Sequence, residues 1–248
     1  MNGVLIVTGG SRGIGAAVCT LAAHHGYDVV VNYRNDADAA SAVVDYAKSC
    51  GRRALAVRAD VSDEDEVRGM FETASALGPI TNLVNNAGIT GFSPGRLDEQ
   101  TVTGVRRVFD VNVTGVFLCA REAVKRMSTR YGGGGGSIVN VSSTAARLGS
   151  AGEWVHYAAS KAAVETMTLG LAQEVAAERI RVNAVAPGMV ETQLHAEAGL
   201  HDRLERLAPS IPLGRPAQPE EIAEAVLWLL SPAASYATGA VLPIGGGR

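Results

Sequence analysis

The chain has 248 residues, of which 47% are hydrophobic and 19% charged, and its formal net charge is −3. This composition is typical of a globular protein and excludes a disordered chain. The charge balance gives no indication of nucleic-acid binding. Glycine is abundant, with 29 residues, whereas average usage is about 7%. Only 9 prolines are present and no G-x-y repeat occurs, which excludes collagen.

The three cysteines, Cys19, Cys50 and Cys119, are widely spaced and odd in number. They predict a reducing compartment and no disulfide framework. Neither a CxxC pair nor a His/Cys cluster indicates a metal site. The segment MNGVLIVTGG is interpreted as a first β-strand instead of a signal peptide, and no apolar run reaches the ~18 residues of a membrane span. We therefore expect a cytoplasmic protein with no membrane or nucleic-acid partner.

Strand-like and helix-like segments alternate along the chain. The predicted strands cover residues 4–7, 29–31, 54–59, 82–85, 138–141, 182–185 and 241–244. The predicted helices cover residues 12–26, 36–50, 63–76, 101–130, 156–178 and 219–230. Strands that are apolar on both faces, with helices between them, indicate a parallel sheet covered on both sides. We predict an α/β fold in one domain, residues 1–248, with a single doubly wound, Rossmann-like sheet of about seven strands.

Five consecutive glycines, residues 132–136, form a low-complexity segment between a predicted helix and a predicted strand. We expect a flexible surface connector there.

The segment TGGSRGIG, residues 8–15, lies where the first predicted strand meets the first predicted helix. Glycine allows the main chain to approach a pyrophosphate closely, and the helix N-terminus supplies N–H groups and a partial positive charge. The spacing differs from the common G-x-G-x-x-G fingerprint, and a simple tight turn is the alternative. The position after the first strand of a βαβ unit favours nucleotide binding.

The end of the second predicted strand indicates which nucleotide binds. A site for an unphosphorylated ribose usually has an Asp or Glu there, but this strand continues as Asn32-Tyr33-Arg34. A guanidinium suits a 2′-phosphate, which a carboxylate would repel. Although a solvated loop arginine is the alternative, Arg12 in the glycine turn supports the phosphate interpretation. We predict NADP(H) in preference to NAD(H).

Tyr157 and Lys161 are four residues apart at the start of a predicted helix, so they share one helix face. An ammonium beside a phenol favours the phenolate and lowers its pKa from about 10. A tyrosine in that state can exchange a proton with a carbonyl or alcohol oxygen.

Together with the glycine turn, this pair resembles the classical short-chain dehydrogenase/reductase family, and the resemblance covers nearly the whole chain. The other matching segments are NNAG at 85–88, VNV at 111–113, IVNVSS at 138–143, Pro187-Gly188, Thr238-Gly239 and the terminal glycines 245–246.

The resemblance implies four catalytic residues. Tyr157 would be the general acid/base, and Ser143 would bind the substrate oxygen and stabilise its charge. Lys161 would lower the pKa of Tyr157 and hold the nicotinamide ribose, while Asn112 would hold a proton-relay water. Asp60 and Val61 would contact adenine. The implied cofactor-binding residues are Gly9, Ser11, Arg12, Gly13, Ile14, Gly15, Arg34, Asp60, Val61, Asn86, Gly88, Tyr157, Lys161, Pro187, Gly188, Val190 and Thr192.

Tyr157 follows Ser143 by fourteen positions, one more than in many members of the family, and the extra residue falls within 152–156. Thr144 is thus an alternative to Ser143, but Ser143 ends the strand motif and is the residue that we predict. We interpret His156 as a helix-entry or surface residue, with an acid/base role as the alternative. Glu153 and Trp154 are candidates for the pocket wall.

The resemblance implies hydride transfer between NADP(H) and a carbonyl or alcohol, with residues 189–215 as a mobile substrate lid that includes His195 and His201. A 3-oxoacyl-acyl-carrier-protein reductase, a sugar dehydrogenase and an enzyme for xenobiotic or steroid carbonyls remain alternatives. The first of these would need a basic docking surface, for which Arg121, Lys125, Arg126 and Arg130 are candidates. A catalytically silent NADP sensor is a different class. The resemblance also implies a homotetramer formed through the helices near 101–130 and 156–178.

Overall fold

A computed structural model describes residues 3–91, 93–194, 199–200 and 202–248 of the chain. His195 and His201 of the predicted lid lie outside the described residues.

Within the described residues, seven strands form one sheet in the order β3-β2-β1-β4-β5-β6-β7. All neighbouring strands pair in parallel. The strands are β1 (Val4–Val7), β2 (Asp28–Tyr33), β3 (Ala54–Arg58), β4 (Ile80–Asn85), β5 (Gly136–Val141), β6 (Ile180–Pro187) and β7 (Val241–Ile244). The predicted fold class is confirmed.

The helices follow the predicted segments closely. They are α1 (Gly13–His24), α2 (Ala37–Ser49), α3 (Glu64–Ser75), α4 (Val102–Phe109), α5 (Gly115–Met127), α6 (Ala145–Leu148), α7 (Val155–Val175), α8 (Arg203–Leu207) and α9 (Pro219–Leu230). A π-helical turn, Asp110–Thr114, joins α4 to α5. No helix in the described ranges combines the length and the apolar character that crossing a membrane requires.

Alternate residues of each strand build two separate cores, one on each face of the sheet. On β1, Leu5 and Val7 pack with α1, α2 and α9, whereas Val4 and Ile6 pack with α3, α5 and α7. All four side chains are at most 1% exposed. Because successive side chains of a strand point to opposite faces, a strand between two helical layers must be apolar throughout, which is the pattern seen in the sequence.

Three residues of the five-glycine run between α5 and β5, Gly133, Gly135 and Gly136, are closely packed. The N–H of Gly135 donates to the Met127 carbonyl at 2.7 Å. A Cβ atom would lie 2.4 Å from the Met127 carbonyl oxygen if added to Gly133, and 2.5 Å from that of Arg179 if added to Gly135. Gly136 already belongs to β5. The expectation of a flexible connector is wrong for these three residues, which are glycine because the backbones approach so closely.

The strand order reverses between β1 and β4, since β2 and β3 lie on one side of β1 and all later strands on the other. In a doubly wound sheet, ligands bind at the carboxyl ends of the strands beside such a switch point.

Candidate active site

A cavity of about 550 Å³ opens at the carboxyl ends of β1, β2, β4, β5 and β6. Most of the predicted site residues line it: Gly9, Ser11, Arg12, Ile14, Arg34, Asp60, Val61, Asn86, Gly88, Ser143, Tyr157, Lys161, Pro187, Gly188, Val190 and Thr192. The other three, Gly13, Gly15 and Asn112, are not among the lining residues. The structure therefore brings the glycine turn and the predicted catalytic residues into one cleft.

The side chain of Asn32 fixes the glycine turn by hydrogen bonding. The sequence did not lead us to predict this residue as part of the site. The Asn32 side chain accepts a hydrogen bond from Gly9 N at 3.1 Å and donates to the Ala59 carbonyl at 3.0 Å. Gly9 itself has a φ of +61°, which glycine adopts without strain. In the sequence, Asn32 directly follows the apolar run of the second strand, which could have indicated a buried amide. Such an amide needs hydrogen-bond partners, and Asn32 is 2% exposed in the structure.

Helix α1 begins at Gly13, within this segment, and Gly15 in its first turn allows the backbone at Gly9 to pack closely against the helix. A Cβ atom on Gly15 would lie 2.3 Å from the Gly9 carbonyl oxygen and 2.5 Å from Asn86 Nδ2. The first N–H groups of a helix lack intrahelical partners and carry a partial positive charge. The turn and the helix end therefore form a cradle suited to a pyrophosphate.

Gly15→Ala is expected to displace the turn, because the added methyl group would collide with backbone. We expect the free energy of unfolding to fall by about 1–3 kcal/mol and NADPH binding to be lost. Gly69→Ala is the matched control, since a Cβ atom on this α3 residue meets open space. That control should be neutral or stabilising by about 0.5–1 kcal/mol. Urea unfolding and NADPH titration of both variants test this, and normal NADPH binding by Gly15→Ala would contradict the assignment of the turn.

Three charged side chains meet at the β2 and β3 end of the cleft. Arg34 Nε lies 3.0 Å from Asp60 Oδ2, and Arg107 Nη2 lies 2.8 Å from the same oxygen. Burial would raise the pKa of Asp60, but hydrogen bonds from Ser62 and Arg107 outweigh it and lower the pKa to about 2. Arg107 comes from α4, and no sequence motif indicated it.

The first part of the predicted lid contacts the glycine turn. Arg12 Nη1 donates to Gln193 Oε1 at 2.9 Å, and a Cβ atom on Gly13 would lie 3.1 Å from Thr192 Cγ2. Val190 is 4% exposed and forms a parallel bridge with Ala217. Residues after β6 thus cover the end of the cleft that the glycine turn forms.

The predicted catalytic residues lie at the opposite end of the cleft. Tyr157 and Lys161 occupy the first turns of α7 and are 9% and 4% exposed. Ser143 follows β5, and its Oγ accepts from Ala145 N at 3.1 Å. Lys161 Nζ donates to the Val141 carbonyl at 2.8 Å and lies 5.8 Å from the centre of the Tyr157 ring.

Burial has the largest effect on the pKa values of Tyr157 and Lys161. It raises the pKa of Tyr157 above 10.0, while the interaction with Ser143 and the positive charge of Arg203 lower it. Burial also lowers the pKa of Lys161 to about 8. Ser143, and not Thr144, thus interacts with the phenol; Thr144 N donates to the Pro187 carbonyl at 2.9 Å. The expectation that Lys161 lowers the pKa of Tyr157 stays a prediction.

Asn112 lies behind the cleft in the π-helical turn and is 0% exposed. Its side chain accepts from Ile89 N and donates to the Ile89 carbonyl, both at 2.9 Å, and Nδ2 also donates to Ser160 Oγ at 3.0 Å. A Cβ atom on Gly88 would lie 3.3 Å from Lys161 Nζ and 3.4 Å from Asn112 Oδ1. The glycine therefore leaves a small polar space between these two side chains.

His156 precedes Tyr157 but its ring is turned away from the phenol region, with Nε2 3.1 Å from the Thr90 carbonyl. It is 4% exposed, so it is a buried helix-entry residue and not a surface one. Burial lowers its pKa, which favours the neutral ring.

Several apolar side chains line the cleft together with Tyr157. They are Ala145, Leu148, Trp154, Met189, Leu194 and Leu207. Glu153 and Arg203 also line the cleft, so Glu153 and Trp154 are wall residues as expected, and Trp154 is also buried at 1% exposure.

Comparison with known proteins agrees with this geometry. The family model described as enoyl-(acyl carrier protein) reductase matches residues 9–248. The uncharacterized oxidoreductase YgfF of Escherichia coli is 49% identical over 246 residues, covering 99% of each chain. A cis-4-hydroxycyclohexanecarboxylate dehydrogenase of Sinomonas cyclohexanicum is 44% identical, covering 98% of this chain and 95% of its own.

The fold also has solved counterparts. A short-chain type dehydrogenase/reductase from Mycobacterium marinum superimposes with a TM-score of 0.91 at 38% identity, covering 99% of this chain and 94% of that one. The chain belongs to the classical short-chain dehydrogenase/reductase family and is an oxidoreductase that acts on alcohol and carbonyl groups.

Proposed function

We propose that the protein transfers a hydride between NADP(H) and a carbonyl or alcohol substrate, with Tyr157 as the general acid/base. The observation that carries this proposal is the placement of Ser143, Tyr157 and Lys161 in the same cleft as the glycine turn and Arg34. A nicotinamide cofactor bound there supplies or accepts the hydride. The protein's own residues bind the substrate oxygen and move its proton.

In carbonyl reduction, the Tyr157 hydroxyl donates its proton to the substrate oxygen while Ser143 donates a hydrogen bond to that oxygen. Lys161, fixed by its hydrogen bond to the Val141 carbonyl, places a positive charge near the phenol and would hold the nicotinamide ribose. The proton-relay water would lie between Lys161 and Asn112, where Gly88 has no side chain. In alcohol oxidation the phenolate of Tyr157 accepts the proton instead.

The charges at the β2 end support NADP(H). Arg34 lines the cleft, is 56% exposed at its side chain and can reorient toward a phosphate. Asp60 pairs with Arg34, and when Arg34 turns away Asp60 keeps its ion pair with Arg107 and its hydrogen bonds from Ser62. A 2′-phosphate would therefore meet the Arg34 guanidinium, while Asp60 stays paired with Arg107 and the Asp36 carboxylate in the cleft lining accepts from Ala39 N at 3.0 Å.

The apolar side chains that line the cleft with Tyr157 support a compact alcohol or ketone as substrate, and the similarity to a dehydrogenase for a cyclohexane derivative points to the same class. Docking of an acidic carrier protein has less support. Glu122 pairs with Lys125 and Arg126, and Arg121 pairs with Glu64. Two carboxylates of the same chain, Glu64 and Glu122, thus offset part of the charge of the basic side chains on this helix face.

A screen of NADPH oxidation with alicyclic ketones, 3-oxoacyl thioesters and diketones, and of NADP⁺ reduction with sugars, tests the substrate class. We expect the highest kcat/KM for alicyclic ketones. A higher value for the carrier-protein thioester would overturn this choice. A silent sensor would bind NADPH and oxidise none of it, but such a protein has no need of Tyr157 and Ser143 together.

We also propose a homotetramer and a reducing, cytoplasmic location. Phe117 on α5 and Leu169 on α7 are 54% and 50% exposed, so the two long helices present apolar side chains to a partner copy. All three cysteines are free, and Cys19 and Cys119 are buried, which suits a compartment without disulfides. Sedimentation velocity measures the mass of the particle in solution. A mass of four chains would support the tetramer, and a mass of one chain would exclude it.

A further inference from the structure

A buried ion pair connects the segment before Tyr157 to the helix of the predicted lid. Arg203, the first residue of α8, donates from Nε to Glu153 Oε2 at 3.1 Å and also contacts this oxygen through Nη2. Arg203 is 6% exposed. Glu153 belongs to the segment that is one residue longer than in many members of the family, so the pair gives that longer segment a specific contact.

The rest of the Arg203 side chain is held on two other sides. Its guanidinium carbon lies 5.3 Å from the centre of the Trp154 ring, within the range of a cation–π interaction. Its Nη1 lies 3.1 Å from Met189 Sδ, after β6. The guanidinium is therefore fixed between the segment before α7, the segment after β6 and α8, and all three line the cleft with Tyr157.

We propose that Arg203 is a positioning residue for the proton transfer at Tyr157, and that Glu153 both holds this arginine and balances its charge. This inference rests on the proposed function of Tyr157. Trp154, which Arg203 contacts, also packs with Tyr157, so the guanidinium is held on the same side of the cleft as the buried phenol. A positive charge there stabilises the phenolate, and removal of the balancing carboxylate strengthens that effect. The two residues of the pair therefore act on Tyr157 in opposite directions, although both hold the same structure together.

Other titratable groups lie on α7 itself, on α8 and near the C-terminus in the described part of the chain. They are Lys161, His156 and Glu165 on α7, Arg206 on α8 and Arg248 near the C-terminus. Lys161 is fixed on the Val141 carbonyl, His156 on the Thr90 carbonyl, and Glu165 accepts from Ser142 Oγ at 3.0 Å. Arg206 is 3.6 Å from Glu153 but its side chain is 52% exposed, so water screens its charge. Arg203 is the buried cation that the lid helix contributes.

The closing experiment measures the titration of Tyr157 in the protein without cofactor or substrate. The phenolate absorbance of each protein is recorded against pH, and the curve of the same protein carrying Tyr157→Phe is subtracted. We expect the pKa of Tyr157 to rise by about one unit in Arg203→Gln and to fall by about one unit in Glu153→Gln. The double variant should return close to the wild-type value.

Two further variants separate charge from packing. Arg206→Gln makes the same change on the same helix at an exposed position, and should shift the pKa of Tyr157 by much less. Arg203→Lys keeps the charge and should stay near wild type in pKa even where the loss of the forked guanidinium lowers stability. In alcohol oxidation, kcat/KM should fall on the acidic side with an apparent pKa that shifts in each variant in the same direction as the measured pKa of Tyr157.

Equal pKa values in Arg203→Gln and Glu153→Gln, or shifts in the same direction, would overturn the inference, because a merely structural pair predicts no opposite shifts. The proposed function fails on a different result. If the opposite shifts appear but no substrate is turned over, Arg203 still sets the charge at Tyr157 while the proposed reaction is wrong.

Discussion

Tyr157→Phe is expected to lower kcat by about 10²–10⁴-fold, the range of general acid–base catalysis, with little change in the affinity for NADPH. Phenylalanine keeps the ring that packs at 9% exposure beside Trp154 but has no proton to exchange. Stopped-flow NADPH oxidation measures kcat, and fluorescence titration measures NADPH affinity. We expect the free energy of unfolding to change by less than about 1.5 kcal/mol, because the lost hydroxyl makes few contacts.

Tyr131→Phe is the matched control for this change. Tyr131 is 60% exposed and lies before β5 begins, at the end of the sheet away from the cleft. This variant should keep wild-type kcat. A Tyr157→Phe enzyme with turnover close to wild type would exclude the tyrosine as the acid/base.

Arg34→Ala is expected to weaken NADPH binding by about tenfold to a hundredfold, while NADH binding changes little. Charge-assisted hydrogen bonds contribute about 1.5–3 kcal/mol, which corresponds to this range of affinity. Asp60 keeps Arg107 and Ser62 as partners in the variant, so the β2 and β3 end of the cleft should stay intact. Titration with both nucleotides at one ionic strength measures the two affinities.

Arg58→Ala controls for loss of positive charge near this site. Arg58 ends β3 beside Arg34, and its Nε donates to the Arg34 carbonyl at 3.2 Å, but it does not line the cleft. Its loss should reduce the affinity for NADPH by only a small factor. An equal loss of NADPH and NADH affinity in Arg34→Ala would show that the arginine does not select the 2′-phosphate.

The fold could be predicted from the sequence because parallel strands buried on both faces give continuous apolar runs. The run Val4–Val7 became β1 without change, and residues 219–230 became α9 with the predicted bounds. The sequence was less informative where backbone packing decides the structure. Residues 132–136 have the composition of a flexible linker, but Gly133 and Gly135 are there because neighbouring carbonyls leave no room for a side chain.

The candidate site was predictable where its residues follow the strands or share a helix turn. Tyr157 and Lys161 are neighbours by helical periodicity, and Ser143 follows a strand of the same sheet. Arg107 and Arg203 were not predictable as partners of Asp60 and Glu153, because their contacts join segments that are 47 and 50 residues apart. Such contacts depend on how helices are placed over the sheet, and local patterns do not encode this.

The most direct test of the central claim is transfer of deuterium to a ketone accepted in the screen from NADPH that carries deuterium at both positions of carbon 4. The wild-type protein should place one deuterium on the new alcohol carbon, whereas Tyr157→Phe should bind the labelled NADPH and transfer almost none. NADPH bound by the wild-type protein with no deuterium in any product would contradict hydride transfer as its function.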